Sequence, residues 1–96
     1  MYAALTTITV SPGMWAQMSK STDQLFASMR IMKGFKRATF FGDNEAGMYN
    51  SLILWDSKED VEAAWAAMSP GVQQGLASFL KAPIARQMFE VYEPKT

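Results

Sequence analysis

Two arginines, Arg37 and Arg86, sit inside the stretches FKRATFF and IARQMFEVY, whose other residues are largely apolar. An arginine keeps its charge at any working pH and offers a forked set of donors. It can pair with an acid such as Glu90, or it can hold an oxyanion or a phenolate. The hydroxyls of Ser51 and Thr6 can orient a ligand or satisfy nearby backbone. Trp55, Trp65 and Phe35 supply broad aromatic faces, which serve as core anchors or as the walls of a pocket. The candidate catalytic set is therefore Arg37, Arg86 and Ser51, and the candidate substrate-binding set is Thr6, Ser51, Trp55, Trp65 and Phe35. No convincing catalytic acid–base pair stands among these groups. The acids Asp56, Glu59, Asp60 and Glu62 cluster instead at a helix start, where they read as a solvated first turn.

Whole classes of chemistry fall away on composition. The 96 residues contain no histidine and no cysteine. That removes the commonest neutral-pH base, the commonest metal ligands, a histidine-held haem and any disulfide framework. No acidic cluster has the spacing of an all-oxygen metal site. The expectation is no metal and no cofactor. Nine basic residues balance nine acidic ones, so no field draws the chain to nucleic acid or anionic lipid. The segment Lys33–Phe41 faintly echoes an RNA-binding signature, but Lys36 stands where a small residue belongs. No apolar run is long enough to span a bilayer, and Met1–Val10 lacks a basic lead, so a cytoplasmic protein is expected.

The candidate residues must be positioned by six elements. Tyr2–Val10 is β-branched and aromatic, with Ala4, Thr6, Ile8 and Val10 on one face. Ser11-Pro12-Gly13 punctuates, with Ser11 placed to cap a helix and Pro12 suited to its first turn. From Met14 to about Met32, Trp15, Met18, Leu25, Phe26 and Met29 recur at helical spacing, while Gln17, Lys20, Asp23 and Gln24 take the other side. Gly34 suits the left-handed position that ends a helix. Phe35–Phe41 and Met48–Trp55 read as a strand pair around the loop GDNEAG. Ser57-Lys58-Glu59-Asp60 fits a capping pattern, and Val61, Ala64, Trp65 and Met68 follow as a buried stripe. Ser69-Pro70-Gly71 is expected to break or kink that helix, with a further short helix over Val72–Lys81. Ile84–Tyr92 is the last strand.

The order is β-α-β-β-α-β, an α+β ferredoxin-like arrangement with a four-stranded antiparallel sheet, and it fills one domain, residues 1–96. Two helices cover one face of such a sheet. Yet the strands are apolar on both faces: Ala38 and Phe40 against Phe35 and Phe41, Leu52 and Leu54 against Ile53 and Trp55, Met88 against Phe89 and Val91. A large apolar face on a small domain marks an interface, and a second copy packed sheet to sheet covers it economically. A homodimer is expected.

Three segments, in this order and spacing, resemble the antibiotic biosynthesis monooxygenase (ABM) domains of the dimeric α+β barrel superfamily. They are Thr9-Val10-Ser11-Pro12-Gly13 at the end of the first strand, Gly34-Phe35 opening the second, and Trp55-Asp56-Ser57-Lys58-Glu59 leading into the second helix. The resemblance implies an obligate dimer with a pocket in each subunit between helices and sheet. Some members oxidise polycyclic phenols or quinols with dioxygen and no cofactor, and others degrade haem. The haem-degrading branch needs an axial histidine, which this chain lacks. Of the positions used by the anthrone-oxidising branch, the chain keeps Trp55. It has Ser51 where an asparagine is expected and Val61 where a tyrosine is expected, and the expected arginine falls near Gly75. The implied function is a cofactor-independent monooxygenase acting on a small planar phenol or quinol. In that case Arg37 or Arg86 stabilises the oxyanion, Ser51 and Thr6 orient the substrate and Trp55 stacks on it. The alternative is a non-catalytic small-molecule-binding or stress-related dimeric barrel.

Overall fold

A computed structural model describes residues 1–95 of the chain. The elements are β1 (Tyr2–Thr9), α1 (Trp15–Met29), β2 (Phe35–Asp43), β3 (Met48–Trp55), α2 (Lys58–Leu76) and β4 (Ala85–Glu90). The strands form one antiparallel sheet in the order β2-β3-β1-β4. The expected ferredoxin-like order is therefore the observed one.

Register assigns each strand residue to a face. Rows such as Tyr2↔Trp55, Ala4↔Ile53 and Ile8↔Tyr49 point toward the helices, because Ile53 and Trp55 pack with Met29 of α1 and with Val61 and Ala64 of α2. A second cluster joins Val10, Met18, Tyr49 and Leu76. Burying side chains of this size stabilises by about 1.5–3 kcal/mol each. The intervening row, Thr6↔Ser51, belongs to neither cluster, so the core is split where the strands carry hydroxyls.

Among the described residues, no helix covers the opposite face. It carries Leu5, Leu52 and Leu54 together with Phe41 and Phe89, the last two 47% and 49% exposed. One polar pair lies there: the Thr7 hydroxyl donates to Asn50 Oδ1 at 2.7 Å.

Local chemistry explains the turns. Gly34 has φ +83°, the left-handed conformation that glycine adopts without strain, and it approaches the buried carboxylate of Asp60. The Ser57 hydroxyl accepts from the Asp60 amide at 3.2 Å and caps α2 as expected.

The structure departs from the sequence expectation at Asp60, which is buried rather than part of a solvated first turn, and at three further places. First, Pro70 does not break α2, which runs unbroken to Leu76. Proline removes one backbone donor, but the stripe Val61, Ala64, Met68, Val72, Leu76 stays in register across it and keeps the helix docked. Second, Ser11 and Pro12 do not start α1, which begins at Trp15. Third, Phe35 lies on the same face as Ala38 and Phe40, not opposite them. A bulge at Lys36 inserts one residue between the pairs Phe35↔Trp55 and Arg37↔Leu54 and resets the alternation. Lys36 is thereby free to pair with Asp56 at 3.0 Å.

Candidate functional site

The gap in the core is a cleft. Strands β1, β2 and β3 form its floor with Thr6, Ile8, Phe40, Tyr49 and Ser51, and α1 forms its wall with Trp15, Met18, Ser19, Thr22, Asp23 and Leu25. Its volume is about 280 Å³. A second cavity of about 330 Å³ lies between α1 and α2. The two share Ile8, Met18, Thr22 and Leu25, so they lie side by side along α1. The floor of the second cavity's α2 side includes Gly71 and Gly75, where an added Cβ would meet nothing, which leaves that end roomy.

The wall is held in place by the hairpin loop between β2 and β3. No side chain of the β1–α1 connection caps α1. Instead Asn44 Oδ1 accepts from the Trp15 amide at 2.9 Å and from the Tyr49 hydroxyl at 2.7 Å. The Asn44 carbonyl accepts from the Gly13 amide, and the Gly47 carbonyl accepts from the Val10 amide. Gly47 has φ +72° and lies so close to the Val10 carbonyl that a Cβ has no room there. The Trp15 and Tyr49 rings meet at 5.8 Å between centroids and close one end of the cleft.

The candidate residues separate into those at the cleft and those away from it. Thr6 and Ser51 are cross-strand partners on its floor, with Phe40 beside Ser51. Trp55 is 2% exposed and packs edge-on against Phe35 at 5.7 Å, so both stand in the core cluster beyond the cleft. Arg37 pairs with Leu54 in register and lies on the uncovered sheet face. Arg86 neighbours Thr6 across β1–β4, but its guanidinium stacks on Trp65 of α2, 4.0 Å from the ring centroid. Burial against that ring pushes the Arg86 guanidinium below its ordinary value, while the Glu62 charge raises it. The structure thus brings together Thr6 and Ser51, pairs Arg86 with Trp65 to one side, and sets Arg37, Trp55 and Phe35 apart from the cleft.

Two residues of the site escaped the sequence reading. Asn44 sits in a loop whose composition signals only a turn. Asp23 is solvent-exposed, as its place on the polar side of α1 implies, and it also borders the cleft beside Thr22 and Ser19. Its position four residues after Ser19 and one after Thr22 was the available signal. Among the described residues, no group of histidine, cysteine or acidic side chains could hold a metal ion. No helix of these residues is long and apolar enough to cross a membrane.

No family model and no curated protein matches the chain in sequence. Solved structures match it along almost its whole length. It is similar to the Streptomyces coelicolor monooxygenase from the gene ActVA-Orf6, solved with the ligand nanaomycin D. That pair has a TM-score of 0.78 and 17% identity, over 99% of this chain and 90% of that one. It is similar to SnoaB, a cofactor-independent oxygenase of Streptomyces nogalater, with a TM-score of 0.77 and 16% identity, over 97% of this chain and 94% of that one. It is equally similar to NE2512, a protein of unknown function from Nitrosomonas europaea, with a TM-score of 0.80 and 11% identity, over 99% and 92% of the two chains. Shared shape at such identities establishes the architecture: the chain has the fold of the ABM monooxygenases, the ferredoxin-like subunit of the dimeric α+β barrels.

Proposed function

We propose that the cleft between α1 and the sheet binds a small planar phenol or quinol and presents it to dioxygen without a cofactor. The observation that carries this reading is the hydroxyl pair Thr6 and Ser51 on the floor of a largely apolar cavity of about 280 Å³, whose α1 wall adds Ser19, Thr22 and Asp23. A few placed polar groups in an apolar cleft are the usual make-up of a ligand site. The oxygenases that share the fold, one of them solved with nanaomycin D, supply the reaction class.

The overall change for an anthrone-type substrate balances without a reductant. A methylene carbon loses two hydrogens, dioxygen supplies one oxygen to make the carbonyl, and the second oxygen leaves as water. The protein's share is to orient the ring through Thr6 and Ser51 and to exclude water with Met18, Leu25 and Phe40. Arg37 and Arg86 stand away from the cleft and do not line it, so neither is placed to hold a substrate oxyanion there. Their placement favours the second reading, in which the cleft binds its ligand without turnover. Trp55 and Phe35 support the cleft by filling the adjoining core.

The reading also takes the uncovered sheet face, with Leu5, Leu52, Leu54, Phe41 and Phe89, as the seat of a second copy of the chain. It places the protein in the cytoplasm.

The test is oxygen uptake by metal-free protein over a panel of anthrones and quinols. Uptake above the autoxidation rate that falls at least tenfold in Ser51→Ala, with the melting temperature kept, supports oxygenation at this cleft. Uptake no faster than autoxidation on every substrate refutes the oxygenase reading and leaves ligand binding.

A further inference from the structure

The two cavities along α1 meet a single formally charged side chain, the carboxylate of Asp23 on the wall of the first. Both cavities are otherwise lined by apolar groups, hydroxyls, amides and glycines, and neither is lined by lysine or arginine. Lys20 lies one helical turn before Asp23, but the two are not ion-paired; among the described residues the one ion pair is Lys36–Asp56. Arg86, the nearest cation in register with the floor, is stacked on Trp65 and faces Glu62. No side chain of the described residues donates a hydrogen bond to the Asp23 carboxylate. A carboxylate is an acceptor only, and this one is solvent-exposed at the rim of the cleft, so its charge acts partly screened.

We infer that Asp23 sets the charge selectivity of the cleft: it favours neutral or cationic aromatic ligands that bring a hydrogen-bond donor, and it disfavours carboxylated ones. A phenolic hydroxyl or an ammonium group beside Asp23 gains a charge-assisted hydrogen bond. A ligand carboxylate in the same place meets like charge, with no lysine or arginine in the cavity lining to offset it. This inference rests on the proposal that the cleft holds a flat aromatic molecule. It does not depend on any turnover.

Three bicyclic probes of one shape test it by calorimetry at neutral pH: 2-naphthol, 2-naphthoate and 2-naphthylmethylammonium. The native protein is expected to bind the ammonium and the naphthol roughly two- to fivefold more tightly than the carboxylate, the range for a partly screened single charge. Asp23→Asn removes that preference, Asp23→Lys inverts it, and half-molar salt compresses it in the native protein. Asp23 is exposed on a helix surface, so both variants are expected to fold, and their circular dichroism confirms it. Equal affinities in the native protein, or a preference that survives in Asp23→Asn, overturns the inference. Absence of binding by all three probes overturns it together with the ligand-cleft reading. A protein that shows the charge preference yet consumes no oxygen refutes the oxygenase reading alone. One that consumes oxygen with no charge preference refutes this inference alone.

Discussion

Asn44 is the residue on which the cleft wall hangs, and replacing it by alanine separates two contributions that can be worked out. The side chain caps α1 through the Trp15 amide at 2.9 Å, and loss of such a cap costs about 1 kcal/mol. It also accepts from the Tyr49 hydroxyl at 2.7 Å, and Tyr49 is 9% exposed, so the stranded hydroxyl costs about another 1 kcal/mol. Asn44→Ala is thus expected to destabilise by about 2 kcal/mol. Tyr49→Phe removes only the second bond and is expected to cost about 1 kcal/mol. The double variant should then cost less than the two singles together, by about 1 kcal/mol, because both singles break the same bond. Denaturant unfolding at one fixed protein concentration measures all three, and holding the concentration constant matters if the native protein self-associates. Strict additivity, or an Asn44→Ala variant within 0.5 kcal/mol of the native protein, refutes the shared-acceptor account. The same variant should loosen the cleft, seen as faster amide exchange at Trp15 and in the first turn of α1.

Other outcomes follow from other parts of the fold. Leu52→Arg, on the uncovered sheet face, is expected to give a folded monomer in sedimentation where the native chain gives twice its own mass; a native monomer at micromolar concentration removes the sheet-to-sheet dimer. Gly34→Ala combines a strained left-handed backbone with a Cβ driven against Asp60, so it should cost more than about 2 kcal/mol, and less in an Asp60→Ala background, where the carboxylate clash is gone but the backbone strain and the contact with the residue-60 Cβ at 2.8 Å remain. Pro70→Ala restores a backbone donor inside α2 and should raise stability by about 1–3 kcal/mol in the same unfolding assay.

What the sequence makes legible is what local chemistry decides. The change from two-residue to 3.6-residue periodicity marks all six elements, Gly34 announces its left-handed turn, and Ser57 announces its cap. Apolar residues on both faces of the strands disclose a sheet with one side uncovered. Long-range geometry is hidden. The bulge at Lys36 has no signature in FKRATFF, and it decides which face Arg37 occupies. Asn44 caps a helix that starts 29 residues earlier in the chain, a partnership visible only once the loop is folded back on β1. Pro70 misled because a local breaker was weighed without the stripe that continues past it to Leu76. The cleft itself was half legible: Thr6 and Ser51 fall on the helix-facing register of their strands, whereas Trp55 and Phe35, chosen for their aromatic bulk, went to the core.

The strand order β2-β3-β1-β4 has a consequence for how the chain must assemble. The β2–β3 hairpin closes over a short loop and can form as soon as it is made. β1 is synthesised before either of its partners, yet it occupies an interior position between Met48–Trp55 on one side and Ala85–Glu90 on the other. During synthesis it therefore waits with both hydrogen-bonding edges open, one until β3 emerges and the other until β4 does. The segment YAALTTIT is rich in β-branched residues, uncharged and free of proline, the composition that pairs readily with strangers. A chain halted before Ala85 keeps β1 as a bare edge of an unfinished sheet, and the last strand is the piece that closes that edge.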